Sequence, residues 1–130
     1  MEAQTELMTK IQEDIEKNLP EIDIALSELS DDQRIYMELG AGYTEKRYLN
    51  GPGIFTHPVL FIIKRPGDDE PDCIERLAQI CNHYKRKRKP PKGTTYQALG
   101  LQVAAEPNKI GRQEDGQVLY SCIINFKISY

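Results

Sequence analysis

The stretch that most constrains the fold is the apolar run Val59-Leu60-Phe61-Ile62-Ile63, which begins six residues after Gly51-Pro52-Gly53. A continuous β-branched and aromatic run bounded by turn residues predicts a strand with both faces covered. Gly-Pro-Gly is typical of a tight turn. We therefore expect a loop that delivers the chain into a central strand over 54–64. Pro58 should lie at an edge position or a bulge, because it cannot donate a ladder hydrogen bond.

The length of 130 residues predicts one domain, 1–130. Hydrophobic residues make up 39% and charged residues 28%, which is typical of a globular protein and argues against wholesale disorder. No apolar run approaches the ~18–20 residues that span a bilayer. The N-terminus has no basic region followed by an apolar stretch, so we expect no secretory signal and no membrane partner.

Two helices are predicted from residues that recur every three or four positions. Leu7, Ile11 and Ile15 predict an amphipathic helix over 5–18, capped by Thr5 and lying on a surface. A clearer helix begins near Cys73, is capped by Asp69 or Asp72, and covers one face of the sheet. Its apolar positions are Ile74, Leu77, Ala78, Ile80, Cys81 and Tyr84.

The remaining segments predict strands and turns. Alternation indicates a half-buried strand over 34–39, another over 94–103 with a bulge at Gly100, and a last strand that runs to Tyr130. Residues 22–26 suit a short edge strand, 43–50 an extended arm, and 106–117 a long hairpin loop. The fold class is α+β, with a mainly antiparallel or mixed sheet of about four to six strands and two main helices packed on it.

No catalytic or metal-binding pattern is present, and we expect neither an enzyme nor a cofactor. His57 and His83 suit packing or surface positions, and no GxSxG, HExxH, Walker or Rossmann motif occurs. The acidic cluster Asp68-Asp69-Glu70 with Asp72 is more simply a solvated turn than a metal site. Cys73, Cys81 and Cys122 lack metal-ligand spacing and suit buried positions.

Charge is divided unevenly along the chain. Residues 1–33 hold 10 acidic and 2 basic side chains, for −8, whereas 34–130 sum to +5. Opposite fields of this kind suit head-to-tail self-assembly. Six cations and no anion occupy 85–92, which allows contact with phosphates or an acidic partner, or else a solvated helix end. These cations are Lys85, Arg86, Lys87, Arg88, Lys89 and Lys92.

The order of these segments resembles a known family. An N-terminal amphipathic helix and a short strand precede Tyr48-Leu49-x-Gly51-x-Gly53-Ile54, which leads into the central strand. A helix with Leu77 and Ile80-Cys81-Asn82-His83 follows, and after it come Leu99-Gly100-Leu101 and the final strand. Over about residues 5–130 this is similar to the bacteriophage minor capsid protein family. That family overlaps the tail terminator, or head–tail joining, proteins of long non-contractile-tailed phages.

The resemblance implies a structural virion protein at the head–tail junction, assembled in the bacterial host cytoplasm. Its partners would be further copies in a ring, usually of six, the tail tube protein and the head connector protein. An alternative is a head-completion or connector protein of the same virion. Another is a small nucleic-acid-binding module that uses the 85–92 run for non-specific contact with DNA. Candidate contacts with a subunit or the tail tube lie on the arm, at Tyr43, Tyr48, Leu49, Gly51 and Gly53.

Overall fold

The computed structural model describes residues 2–26, 35–46, 53–66, 70–112 and 116–130. Two helices pack against one mixed sheet, so the predicted α+β class is confirmed. The elements in chain order are α1 Ala3–Asn18, β1 Ile24–Ala25, β2 Ile35–Leu39, β3 Tyr43–Lys46, β4 Ile54–Pro66, α2 Glu70–Lys87, β5 Gln97–Arg112 and β6 Gln117–Ser129.

The sheet order is β1-β2-β4-β6-β5, and β3 pairs with β4 beyond the end of β2. β1 is parallel to β2, whereas the other pairs are antiparallel. The predicted short edge strand near residue 24 is confirmed. β4 is the central strand, and its continuous register with β6 runs from Ile54↔Ser129 to Pro66↔Gln117.

The two faces of the central strand are covered unequally. Val59, Phe61 and Ile63 are fully buried, whereas Leu60 and Ile62, which alternate with them, are only half-buried. The buried set joins the apolar stripes of α1 and α2 in one core. The helices therefore cover one face of β4, and the apolar run is continuous although its burial alternates.

Pro58 lies inside the central strand without a bulge, opposite Asn125 of β6. Its carbonyl accepts a hydrogen bond from the Gly40 N–H at 2.7 Å. Because the N and C=O groups of one strand residue point to the same side, the missing donor of Pro58 faces the gap between β2 and β3. The proline thus occupies a local edge of an otherwise central strand.

The structure corrects the predicted start of the first helix and excludes one of the two predicted caps of the second. α1 begins at Ala3 after Glu2, so Thr5 is a helical residue and not the cap. Its stripe of Leu7, Ile11 and Ile15 is fully buried against the core, rather than on a surface. Asp72 lies within the first turn of α2, and Asp69 falls outside the described residues.

The predicted loop over 106–117 is also wrong in its first half, because β5 continues to Arg112. β5 stands at the end of the sheet order, where a proline can be tolerated, and a register shift between Ala105 and Asn108 accommodates Pro107. The Asn108 side chain donates to the Glu106 carbonyl at 2.7 Å. The bulge predicted at Gly100 is confirmed by the register shift after Ala98.

The three cysteines are free and buried, as predicted. None of the described helices is long and apolar enough to cross a membrane.

Candidate functional site

Stacked rings line a groove at the end of the sheet where β2 ends and β3 begins. The Phe55 and Tyr130 ring centroids are 4.3 Å apart with an interplanar angle of 22°. The His57 ring is stacked with both, at 6.0 Å and 17° from Tyr130 and at 6.3 Å and 20° from Phe55. With Leu39 and Gly42, these rings border a groove of about 480 Å³, here called the aromatic groove. The aromatic groove lies next to the first residues of the predicted arm.

His57 is a packing residue of this groove rather than an exposed base. Its Nε2 lies 3.0 Å from the Tyr130 hydroxyl, and burial lowers the pKa of the imidazole. A Cβ at Gly42 would lie 2.7 Å from His57 Nδ1 and 2.8 Å from the Thr56 carbonyl. The backbone at Gly42 must therefore approach the imidazole closely, and a larger residue would displace it.

The structure places two of the five predicted arm residues. Tyr43 begins β3 opposite Thr56, and Gly53 is buried beside Ile54. Gly53 exchanges two backbone hydrogen bonds with Tyr130, of 2.8 and 3.2 Å, which extend the β4–β6 ladder by one pair. Tyr48, Leu49 and Gly51 lie outside the described residues. The root of the arm is therefore tied to the final residue of the chain.

The basic run divides into two groups. Lys85 pairs with Glu106 of β5, and Lys87 donates to Asp14 Oδ1 at 2.8 Å. The other four cations are exposed and make no ion pair with any described residue. They are Arg86, Arg88, Lys89 and Lys92, and they are here called the basic end. Two of the six predicted contacts thus hold the fold, and four remain available to a partner.

Asp14 joins α1 to the end of α2. His83 Nε2 lies 3.0 Å from Asp14 Oδ2, on the other side of the carboxylate from Lys87. Burial, which raises the pKa of Asp14, is outweighed by the hydrogen bonds of Lys87 and His83, so its pKa lies below the usual value. His83, like His57, is placed by the structure as a packing residue.

Glu6 makes a second inward link, which sequence reasoning missed. Its carboxylate accepts hydrogen bonds from the backbone N–H and the hydroxyl of both Thr94 and Thr95, all between 2.7 and 2.8 Å. The bond from the Thr95 N–H contributes most to lowering the pKa of Glu6 to about 2. A Cβ at Gly93 would lie 2.6 Å from this carboxylate, so the loop needs glycine there. The partners are 88 residues apart, and no local pattern indicates them.

The acidic cluster at the start of α2 is used in part for ion pairs. Asp72 Oδ2 lies 2.9 Å from Arg76 Nε and 3.3 Å from Arg65 Nη1. Asp68 and Asp69 fall outside the described residues. Within the described ranges, no group of three His, Cys, Asp or Glu side chains is placed to hold a metal ion.

Comparison with known proteins adds no relative. No family model matches the chain, and no curated protein is significantly similar to it.

Proposed function

We propose that this chain is a structural virion protein of the tail terminator kind, whose copies form a ring that caps the tail tube and joins it to the head. One observation carries the proposal: one lateral edge of the sheet is long and the other is short, so the two edges are unlike. β5 contributes 16 residues at one edge, and β1 contributes 2 at the other. Contacts between unlike surfaces are heterologous, and they close into a ring when the rotation between copies allows it.

The edge of β5 has the character of an assembly surface over its first half. None of its residues is fully buried, and among the described residues it pairs only with β6. Residues 97–105 contain neither a charge nor a proline, the usual devices that protect an edge from another chain. The second half carries such devices, namely Pro107 and Lys109. A neighbouring copy or the tail tube would therefore meet the first half.

The sheet face opposite the helices is only partly covered, which supports the same proposal. Leu60 and Ile62 of β4 and Leu119 and Ile123 of β6 are half-buried on the face opposite the helices. The described grooves lie on the surface, and none brings together a nucleophile, a base and an orienting group. A protein whose exposed features are sheet edges and half-buried apolar side chains suits assembly better than catalysis.

Deletion of the gene from the encoding phage tests the function. A protein that stops tail-tube growth and presents the head-joining surface should, when absent, leave overlong tails without heads in electron micrographs of the lysate. Complementation with the intact gene should restore tails of uniform length joined to heads. Normal virions from the deletion strain would overturn the proposal.

The β5 edge can be tested in the same complementation. Gln102→Lys with Ala104→Lys places two cations on exposed positions of the unprotected half, where we expect folding to be retained and head–tail joining to be lost. Ile110→Lys is the matched control, because Ile110 is exposed and lies next to Lys109 on the half that already carries a cation. Full complementation by the double variant would exclude this edge as the contact.

A further inference from the structure

The two ends of α2 carry opposite charges, and some of these charges lie outside the helix. Glu75 near its start and Glu21 in the turn after α1 line one small groove beside the Asp72–Arg76 ion pair, and they make no ion pair with a described residue. These two carboxylates are here called the acidic end. The basic end lies at the other terminus of the helix. Acids at a helix N-terminus and cations at its C-terminus favour the helix dipole. Glu21, Lys89 and Lys92, however, lie outside α2.

Glu75 and the basic end are too far apart to form an ion pair within one copy. Thirteen residues separate Glu75 from Arg88, which corresponds to roughly 20 Å along a helix. Ion pairs need about 4 Å, and screening at physiological salt reduces interactions beyond about 8 Å. Each copy therefore presents an acidic surface and a basic surface that are both open to a second molecule.

Arg88 ends α2 in a left-handed backbone conformation. Arg88 has φ +66° and donates its N–H to the Tyr84 carbonyl at 2.8 Å, immediately after the last residue of α2. Glycine is the usual residue in this left-handed position, and another residue costs about 1 kcal/mol or more. The chain keeps a guanidinium at a position where glycine would be less strained.

We propose that the acidic end of one copy contacts the basic end of the next, and that this contact sets the head-to-tail polarity of the assembly. The inference rests on the proposed ring, and it names a second copy of this chain as the partner of the basic end. Charge complementarity contributes to orientation and association rate more than to affinity. Apolar and backbone contacts at the sheet edge supply the remaining free energy of association.

Charge reversal at each end tests the contact. Lys89→Glu with Lys92→Glu makes both ends acidic, and Glu21→Lys with Glu75→Lys makes both ends basic. By sedimentation velocity at low salt, we expect the wild-type mass to rise with concentration, and each reversed variant to stay at the chain mass of 14.9 kDa. An equimolar mixture of the two variants should regain the wild-type mass, and so should one chain that carries all four substitutions.

The outcomes separate this inference from the proposed function. If both reversed variants assemble as the wild type does, or if the mixture stays at the chain mass, the inference is wrong. A wild-type chain that remains at the chain mass at every concentration also overturns it, whereas the deletion phenotype decides the virion role separately. A 30-base-pair duplex DNA is the second probe. If Lys89→Glu with Lys92→Glu loses DNA binding but assembles normally, the partner of the basic end is nucleic acid.

Discussion

The acidic first helix and the basic end of the second helix use their charges in two different ways. On α1, Glu6 and Asp14 point inward and are held by hydrogen bonds, whereas Glu16 is exposed without an ion pair among the described residues. In the basic run, Lys85 and Lys87 are tied inward and the basic end faces outward. Inward charges should therefore determine stability, and outward charges should determine association, although both kinds look alike in the sequence.

The largest effect on stability should come from Glu6. Glu6→Gln replaces one carboxylate oxygen by an N–H₂ donor that faces the N–H and hydroxyl donors of Thr94 and Thr95, so those bonds cannot all be kept. We expect the largest fall in chemical-denaturation midpoint among the variants discussed here. Glu16→Gln on the same helix is the matched control and should stay within about 0.5 kcal/mol of wild type. Equal effects of the two changes would contradict the distinction between inward and outward charge.

The pH dependence of stability distinguishes the loss of the Glu6 carboxylate from a packing defect. Its pKa of about 2 in the folded state lies below the ordinary 4.5. The carboxylate therefore contributes stability that is present above about pH 4.5 and is lost as pH falls toward about 2. Urea unfolding between pH 5 and about 2 should show a steeper loss of stability for the wild type than for Glu6→Gln. Parallel curves would show that Glu6 is not held as a carboxylate.

Asp14 should have the next largest effect. Asp14→Asn removes the charge that Lys87 and His83 contact, and hydrogen bonds to charged groups contribute about 1.5–3 kcal/mol. We expect a loss of about 1–3 kcal/mol in the free energy of unfolding, without loss of self-association. Lys87→Met should reproduce part of this loss. A variant that is as stable as wild type but fails to assemble would place Asp14 among the outward charges.

The smallest effect should be a gain of stability. Arg88→Gly relieves a left-handed φ, and this gain is partly offset by the greater freedom of glycine in the unfolded chain, so we expect about 0–1 kcal/mol of stabilisation. Arg86→Gly, two residues earlier within α2, should destabilise by about 1 kcal/mol. If both variants gain stability or both lose it, the claim that Arg88 is strained is contradicted.

The sequence predicts the parts of the fold that depend on local periodicity. The alternation in 34–39 and in the last strand identifies two sheet strands, and the spacing from Cys73 to Tyr84 identifies α2. The length of β5 escapes this reasoning because Pro107, Asn108 and Gly111 are turn-forming residues, whereas an edge strand with bulges accepts them. The unequal burial of the two faces of the central strand also escapes this reasoning, since a continuous apolar run does not show which face the helices cover.

The site is less predictable than the fold because its contacts join distant segments. Six cations at 85–92 appear equivalent in the sequence, and only Glu106 and Asp14 distinguish Lys85 and Lys87 from the rest. The Phe55–Tyr130 stack likewise depends on the pairing of β4 with β6. Tyr48, Leu49 and Gly51 stay predicted contacts of the arm.

Site-specific cross-linking tests most directly whether unlike ends of neighbouring copies meet. Glu75→Cys and Lys89→Cys each place one exposed thiol, and Cys73, Cys81 and Cys122 are fully buried. With a short bis-maleimide, an equimolar mixture of the two variants should give a cross-linked pair, and either variant alone should give almost none. Cross-linking of one variant to itself, or no pair in the mixture while the wild type assembles, would contradict the head-to-tail contact.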